Sequence, residues 1–128
     1  MIGYIAIGTT NLEKAGVFYD ALLAEAGGAR FVEMETMIFY GTGAEQSAML
    51  AICTPYDKGA PHPGNGVMVA IPGGSQDGVD RLYAKARELG AADEGEPGVR
   101  MPEAEGPTFY GAYVRDADGN KLCFFDIS

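Results

Sequence analysis

At the end of the chain, two mainly apolar segments joined by a short polar turn predict a β-hairpin over residues 109–128. Asp116 and Asp118 are residues whose side chains bond nearby backbone in turns, and Gly119 accepts the positive φ that a short hairpin needs. Pairing Asp116 with Asn120 closes this hairpin and fixes which residues of the two strands lie opposite each other.

This register leaves both faces of the hairpin apolar. It sets Tyr113 opposite Cys123, and because side chains alternate along a strand, Leu122 and Phe124 share one face while Cys123 and Phe125 share the other. A strand with one solvated face would alternate apolar with polar residues. Both faces of the hairpin therefore need a cover from elsewhere in the protein.

The first half of the chain predicts one strand, one helix and three further strands. Residues 3–8 are a strand that is apolar on both faces. A capping box of Thr10 and Glu13 starts a helix with apolar residues at helical spacing, and Gly27 and Gly28 end it. The three strand candidates that follow are residues 30–33, 37–40 and 48–53.

The second half repeats this order after a linker. Residues 54–66 hold three prolines and three glycines, which favour an irregular connection. Residues 67–71 then predict a strand, and Ser75 opens a helix that Gly90 ends. The remaining predicted parts are a short strand near Asp93, a long loop over residues 95–107, and the hairpin.

The two halves align at an offset of 64 residues, which places Tyr4 on Met68 and Ile7 on Ile71. A fixed-period similarity indicates a repeated supersecondary unit, here βαβββ. We predict an α+β fold of paired βαβββ modules in a cupped mixed sheet. The predicted single domain, residues 1–128, divides into module one at about 1–56, a linker at about 54–66 and module two at about 65–128.

The composition narrows the class of protein. The chain has 128 residues and a net charge of −9, which argues against nucleic-acid binding because that function needs a basic face. It has no apolar run long enough to span a membrane and no basic, apolar leader, so no membrane association is expected. Cys53 and Cys123 match neither a disulfide framework nor a zinc spacing, which favours a cytoplasmic protein with free thiols.

Three segments of this chain resemble the vicinal oxygen chelate superfamily, which includes glyoxalase I, bleomycin-resistance proteins and extradiol dioxygenases. They are residues 11–14 with Phe18-Tyr19, Gly64-Asn65-Gly66, and residues 113–122. The resemblance covers the whole chain and implies the same paired βαβββ fold, a ligand cup and a homodimer.

The resemblance also implies where metal ligands would lie in metal-dependent members. The first-, fifth- and eighth-strand ligand positions fall here on Tyr4, Met68 and Cys123, and the fourth strand, residues 49–53, offers no carboxylate. Divalent ions in such sites prefer imidazole and carboxylate ligands. We therefore predict no metal site and no cofactor.

The residues expected to line the cup are apolar or aromatic: Tyr4, Met68, Tyr113, Cys123 and Phe125. Methionine and aromatic side chains suit an adaptable apolar pocket, but they also suit plain packing. Both interpretations stay open for this set.

Three more residues have a chemical and a structural interpretation. His62 is either an ordinary loop residue or a general base at the mouth of a pocket. Arg100 is either a solvated loop charge or a clamp for a carboxylate or phosphate. Cys123 is a small buried residue, or a nucleophile if a neighbouring base or cation lowers its pKa.

The leading hypothesis is a protein that binds or transforms a small organic molecule in an apolar cup, with a degenerate metal site. The first alternative is a metal-dependent lyase or isomerase resembling glyoxalase I. The second is a partner-binding module with no pocket. No catalytic residue follows from the sequence.

Overall fold

Two modules of the same kind make up the chain, each with a four-stranded mixed sheet and one helix packed against it. The computed structural model describes residues 1–103 and 105–128. The elements are β1 (Tyr4–Gly8), α1 (Leu12–Ala24), β2 (Ala29–Glu33), β3 (Met37–Gly41), β4 (Met49–Cys53), β5 (Val69–Pro72), α2 (Gln76–Glu88), β6 (Ala92–Arg100), β7 (Phe109–Arg115) and β8 (Lys121–Ile127). The predicted α+β fold of paired βαβββ modules is confirmed.

The strand order is the same in both sheets, β1-β4-β3-β2 in the N-terminal sheet and β5-β8-β7-β6 in the C-terminal sheet. The first and last strands of each module pair in parallel, and the other pairs are antiparallel. The final hairpin has the predicted register, with Tyr113 opposite Cys123. Its turn closes where Asp116 N donates to Asn120 O at 3.0 Å.

The repeat is regular through the helices and shifts afterwards. Equivalent residues at the helix starts, Leu12 and Gln76, are offset by 64. In the last strands, Leu50 pairs with Ile5 and Leu122 pairs with Val69, so the offset has grown to 72. The extra residues of module two lie between these points, where β6 and β7 form a longer hairpin than β2 and β3.

Both helices begin at side-chain caps, but the first cap differs from the prediction. Asn11, not Thr10, is the N-cap of α1, and its Oδ1 accepts from Lys14 N at 3.0 Å. Thr10 instead donates its hydroxyl to Asp118 at 3.0 Å, a partner 108 positions away that local spacing does not reveal. Ser75 caps α2 as predicted.

Strand β6 is longer than predicted. It runs for nine residues to Arg100, where a short strand near Asp93 and a loop over 95–107 were expected. The register of its pairing with β7 shifts at Gly95 and again before Gly98, so bulges absorb residues that would otherwise break the strand. Arg100 therefore ends a strand, paired with Phe109, and residue 104 of the predicted loop lies outside the described residues.

Strand β5 begins later than predicted, at Val69 instead of residue 67. Gly64 and Gly66 have positive φ, and Val67 N donates to Gly64 O at 3.2 Å in a turn that delays the strand. Met68 therefore directly precedes β5.

One hydrophobic core joins the two modules. It is formed by the buried sides of α1 and α2 and by the faces of both sheets that contact them. The largest fully buried side chains are Tyr19, Tyr40 and Phe124. Each helix thus covers one face of its own sheet, as the apolar pattern required.

The turn of the final hairpin is bonded to module one through a buried polar network. Tyr19 Oη donates to Asp116 Oδ2 at 2.6 Å, and Asn120 Nδ2 donates to Gly8 O at 2.9 Å. Burial and the Asp116 carboxylate raise the pKa of Tyr19 well above its usual value, so its hydroxyl remains a donor. The network fixes the position of module two relative to α1.

Replacing Tyr19 by Phe removes one donor from the buried Asp116 carboxylate and should destabilise the protein by about 1–3 kcal/mol. Urea unfolding monitored by circular dichroism measures this as a lower midpoint. Tyr56→Phe is the matched control, because Tyr56 is fully exposed and its change should leave the midpoint unaltered. Equal stability of the two variants would show that the Tyr19 hydrogen bond does not join the modules.

Candidate functional site

The N-terminal sheet has an apolar face that its helix does not cover. Ile38 and Ile52 point into the core, so their neighbours along the strands point the other way. On that other face Tyr4 and Phe39 make an edge-to-face contact with ring centroids 5.0 Å apart. We call the residues of this face the N-terminal open face: Tyr4, Ala6, Met37, Phe39, Met49 and Ala51.

The C-terminal sheet has a corresponding face. Val114, Leu122 and Phe124 contact the core, so alternate residues point away from α2. Phe109 and Phe125 stack there with centroids 5.8 Å apart. We call this set the C-terminal open face: Ala70, Phe109, Tyr113, Lys121, Cys123 and Phe125.

Two cations contact the Tyr113 ring on the C-terminal open face. The Arg100 guanidinium carbon and Lys121 Nζ each lie 5.3 Å from the ring centroid, within cation–π range. Arg100 Nη2 donates to the carbonyls of Glu96 and Gly111.

A glycine makes this close approach possible. A Cβ atom on Gly95 would lie 3.0 Å from Tyr113 Cδ2 and 3.2 Å from Arg100 Nη2, and its φ of 157° is one that side chains disfavour. The bulge at Gly95 therefore creates room for the guanidinium beside the ring.

The thiol of Cys123 is fully buried beneath these groups. Burial raises the pKa of Cys123, although Tyr113, Lys121 and Arg100 oppose the rise. Burial and Cys123 likewise raise the pKa of Tyr113. Both groups are thus protonated at neutral pH. This disfavours Cys123 as a nucleophile, because a thiolate is the reactive form.

The predicted site residues divide between two sheets. Tyr113, Cys123 and Phe125 share the C-terminal open face, and Met68 precedes its edge strand. Tyr4 lies on the N-terminal open face, and no aromatic contact or hydrogen bond among residues 1–103 and 105–128 joins it to the other four. Whether these five residues line one cup stays a prediction.

The two weaker candidates lie in different settings. His62 is exposed in the linker between two prolines, away from either open face's strands. Arg100 lies against Tyr113.

Sequence reasoning missed Lys121, Phe39 and Phe109. The hairpin register contained the signal for Lys121, because it is two residues before Cys123 and therefore shares its face. Phe39 could have been found by the same alternation once β3 was assigned. Phe109 could also have been found, because the predicted register of the hairpin places it opposite Ile127 and on the same face as Tyr113.

An apolar groove of ≈ 220 Å³ lies where the two edge strands β1 and β5 approach. Ile5, Leu23, Val69 and Ile71 are among its lining residues. A smaller hollow of ≈ 150 Å³ beside the N-terminal open face includes Phe31 and Met49.

The donor set does not fit the divalent-metal site of metal-dependent superfamily members. Tyr4, Met68 and Cys123 offer a phenol, a thioether and a protonated thiol, none of which is a strong ligand for such an ion. Across the described part of the chain, no three His, Cys, Asp or Glu side chains come close enough together to hold a metal. We therefore derive no chemistry through a bound metal.

Neither helix in the described ranges has the length and apolarity needed to cross a membrane.

Solved structures with the same fold identify the relatives of this chain. A glyoxalase/bleomycin resistance protein from Albidiferax ferrireducens is 30% identical, with a TM-score of 0.85 over 98% of this chain and 97% of that one. A glyoxalase/bleomycin resistance protein/dioxygenase family enzyme from Burkholderia phytofirmans is 15% identical, with a TM-score of 0.76 and 98% of each chain covered. A glyoxalase-related enzyme from Fulvimarina pelagi is 20% identical, with a TM-score of 0.74 over 98% of this chain and 86% of that one.

No protein-family model and no curated protein matches the chain. The Albidiferax ferrireducens protein is nevertheless 30% identical to this chain over nearly the full length of both proteins. The chain belongs to the glyoxalase/bleomycin resistance/dioxygenase superfamily, as its motifs indicated.

Proposed function

We propose that the protein binds a small organic molecule on its open faces, and that it does so without the metal site of metal-dependent superfamily members. The observation that carries this proposal is the chemistry of those faces. Stacked and edge-to-face aromatic rings are left uncovered by the helices, with phenols available to orient a ligand. We include a cytoplasmic location in the proposal, because both cysteines are free thiols.

The same faces weigh against the two alternatives. A glyoxalase I-like lyase or isomerase would need ligands for a divalent ion, which the open faces lack. A partner-binding module without a pocket would use the exposed apolar residues only as a docking surface. Phe109, Tyr113 and Phe125 are only partly exposed, which favours a recessed site for a small molecule over a flat protein surface.

We expect a screen of metabolites and drugs to find compounds that raise the melting temperature in the presence of a metal chelator. A ligand at 100 times its dissociation constant should stabilise the fold by about 2.7 kcal/mol. Replacing Phe125 by Ala should weaken this stabilisation because it removes half of the stacked aromatic pair. The exposed Tyr56→Ala change serves as control.

Stabilisation that disappears with the chelator and returns with added zinc, nickel or iron would overturn the proposal. That result would favour the glyoxalase I-like alternative. If no small molecule stabilises the fold but a protein partner does, the partner-binding module is the better account.

We further propose a homodimer, in which a second copy covers part of the exposed apolar surface. Tyr4, Phe31 and Val32 are 53%, 64% and 42% exposed, and β1 and β5 are edge strands of their sheets. Unpaired edges and contiguous apolar surface are typical of interfaces. Light scattering should report about twice the 13.5 kDa of the chain at micromolar concentration. A mass equal to one chain would contradict this proposal.

A further inference from the structure

In the described part of the chain, the two cations beside Tyr113 form no ion pair with a carboxylate. The chain has 18 acidic and 9 basic residues, so carboxylates are abundant. Ion pairs form at Arg30, Lys85 and Arg115. Within residues 1–103 and 105–128, neither Arg100 nor Lys121 has a carboxylate within ion-pair distance.

Arg100 also carries an unsatisfied donor. Its Nε is buried and has no hydrogen-bond partner within the described ranges, although Nη2 donates to two carbonyls. A buried donor without an acceptor is costly, and more so when it belongs to a charged group. The two carbonyl contacts of Nη2 hold the guanidinium in place beside the ring.

Both charges lie close to the same aromatic ring. Each is 5.3 Å from the Tyr113 centroid, so they are no more than twice that distance apart. One carboxylate or phosphate group near both cations would neutralise them and accept hydrogen bonds from both.

Two features of the sequence around Arg100 place its guanidinium beside the Tyr113 ring. The longer β6–β7 hairpin, which module one lacks, carries Arg100 at its end. The bulge at Gly95 gives the guanidinium its place beside the ring, since a Cβ there would crowd both groups.

We propose that Arg100 and Lys121 bind the carboxylate or phosphate group of a small organic anion whose apolar body packs on Tyr113 and Phe125. This inference rests on the proposed function and names its ligand class. It adds a charge requirement that an apolar cup alone does not have.

Isothermal titration calorimetry with three probes of similar shape tests the inference: 2-naphthoate, 2-naphthyl phosphate and the neutral 2-naphthamide. We expect at least one of the two anions to bind about tenfold or more tightly than the amide, because charge-assisted hydrogen bonds are the stronger ones. The anion that binds more tightly identifies which oxyanion the site prefers.

Arg100→Gln and Lys121→Gln should each remove most of the difference between the anion and the amide. Arg81→Gln is the matched control, because Arg81 is exposed on α2 and the change alters net charge equally. Circular dichroism checks that each variant folds. If a variant does not fold, raising salt from about 0.05 to about 0.5 M should weaken anion binding by the wild type more than amide binding.

Equal binding of anions and amide by the wild type would overturn this inference and leave the proposed apolar cup intact. Loss of anion preference in Arg81→Gln as large as in Arg100→Gln would also overturn it, since only net charge would then matter. Failure of all three probes to bind would contradict both this inference and the apolar cup for ligands of this size.

Discussion

Each sheet of this protein carries apolar and aromatic side chains on both faces, yet each module supplies only one helix. One face of each sheet is therefore left without a helix against it. The helices cover the faces that carry Ile38, Ile52, Val114 and Phe124, and these faces merge into a single core. The opposite faces stay uncovered and keep their aromatic side chains. Stability therefore derives mainly from the covered faces, and the open faces are available for binding.

The modules hold a fixed relation because the final turn is bonded to module one. Asp116 accepts from Tyr19 and organises its own turn, and Asn120 reaches the backbone of β1. These buried bonds link residues about a hundred positions apart, so module two cannot move without breaking them. The same hairpin presents Tyr113, Lys121 and Cys123 on its other side, which couples the structural network to the candidate site through one short segment.

Local patterns were enough to predict the modules and the hairpin register, since alternation, caps and turn residues act over a few positions. The cap at Asn11 and the length of β6 were missed for a different reason. Thr10 is engaged by Asp118 from the other module, and β6 continues only because bulges at its glycines preserve long-range pairing with β7. The position of Arg100 depends on those bulges. Its place beside Tyr113 could therefore not be derived from sequence spacing, whereas Lys121 could have been.

The central claim is that small molecules bind to the open sheet faces. Aromatic carbon-13 spectra of the tyrosines during titration with 2-naphthoate test it most directly. Tyr4 lies on the N-terminal open face and Tyr113 on the C-terminal open face, while Tyr56 is fully exposed in the linker. We predict that the ring signals of Tyr4, Tyr113 or both shift with saturation and that the signal of Tyr56 does not. Saturable binding that leaves Tyr4 and Tyr113 unshifted would contradict the account.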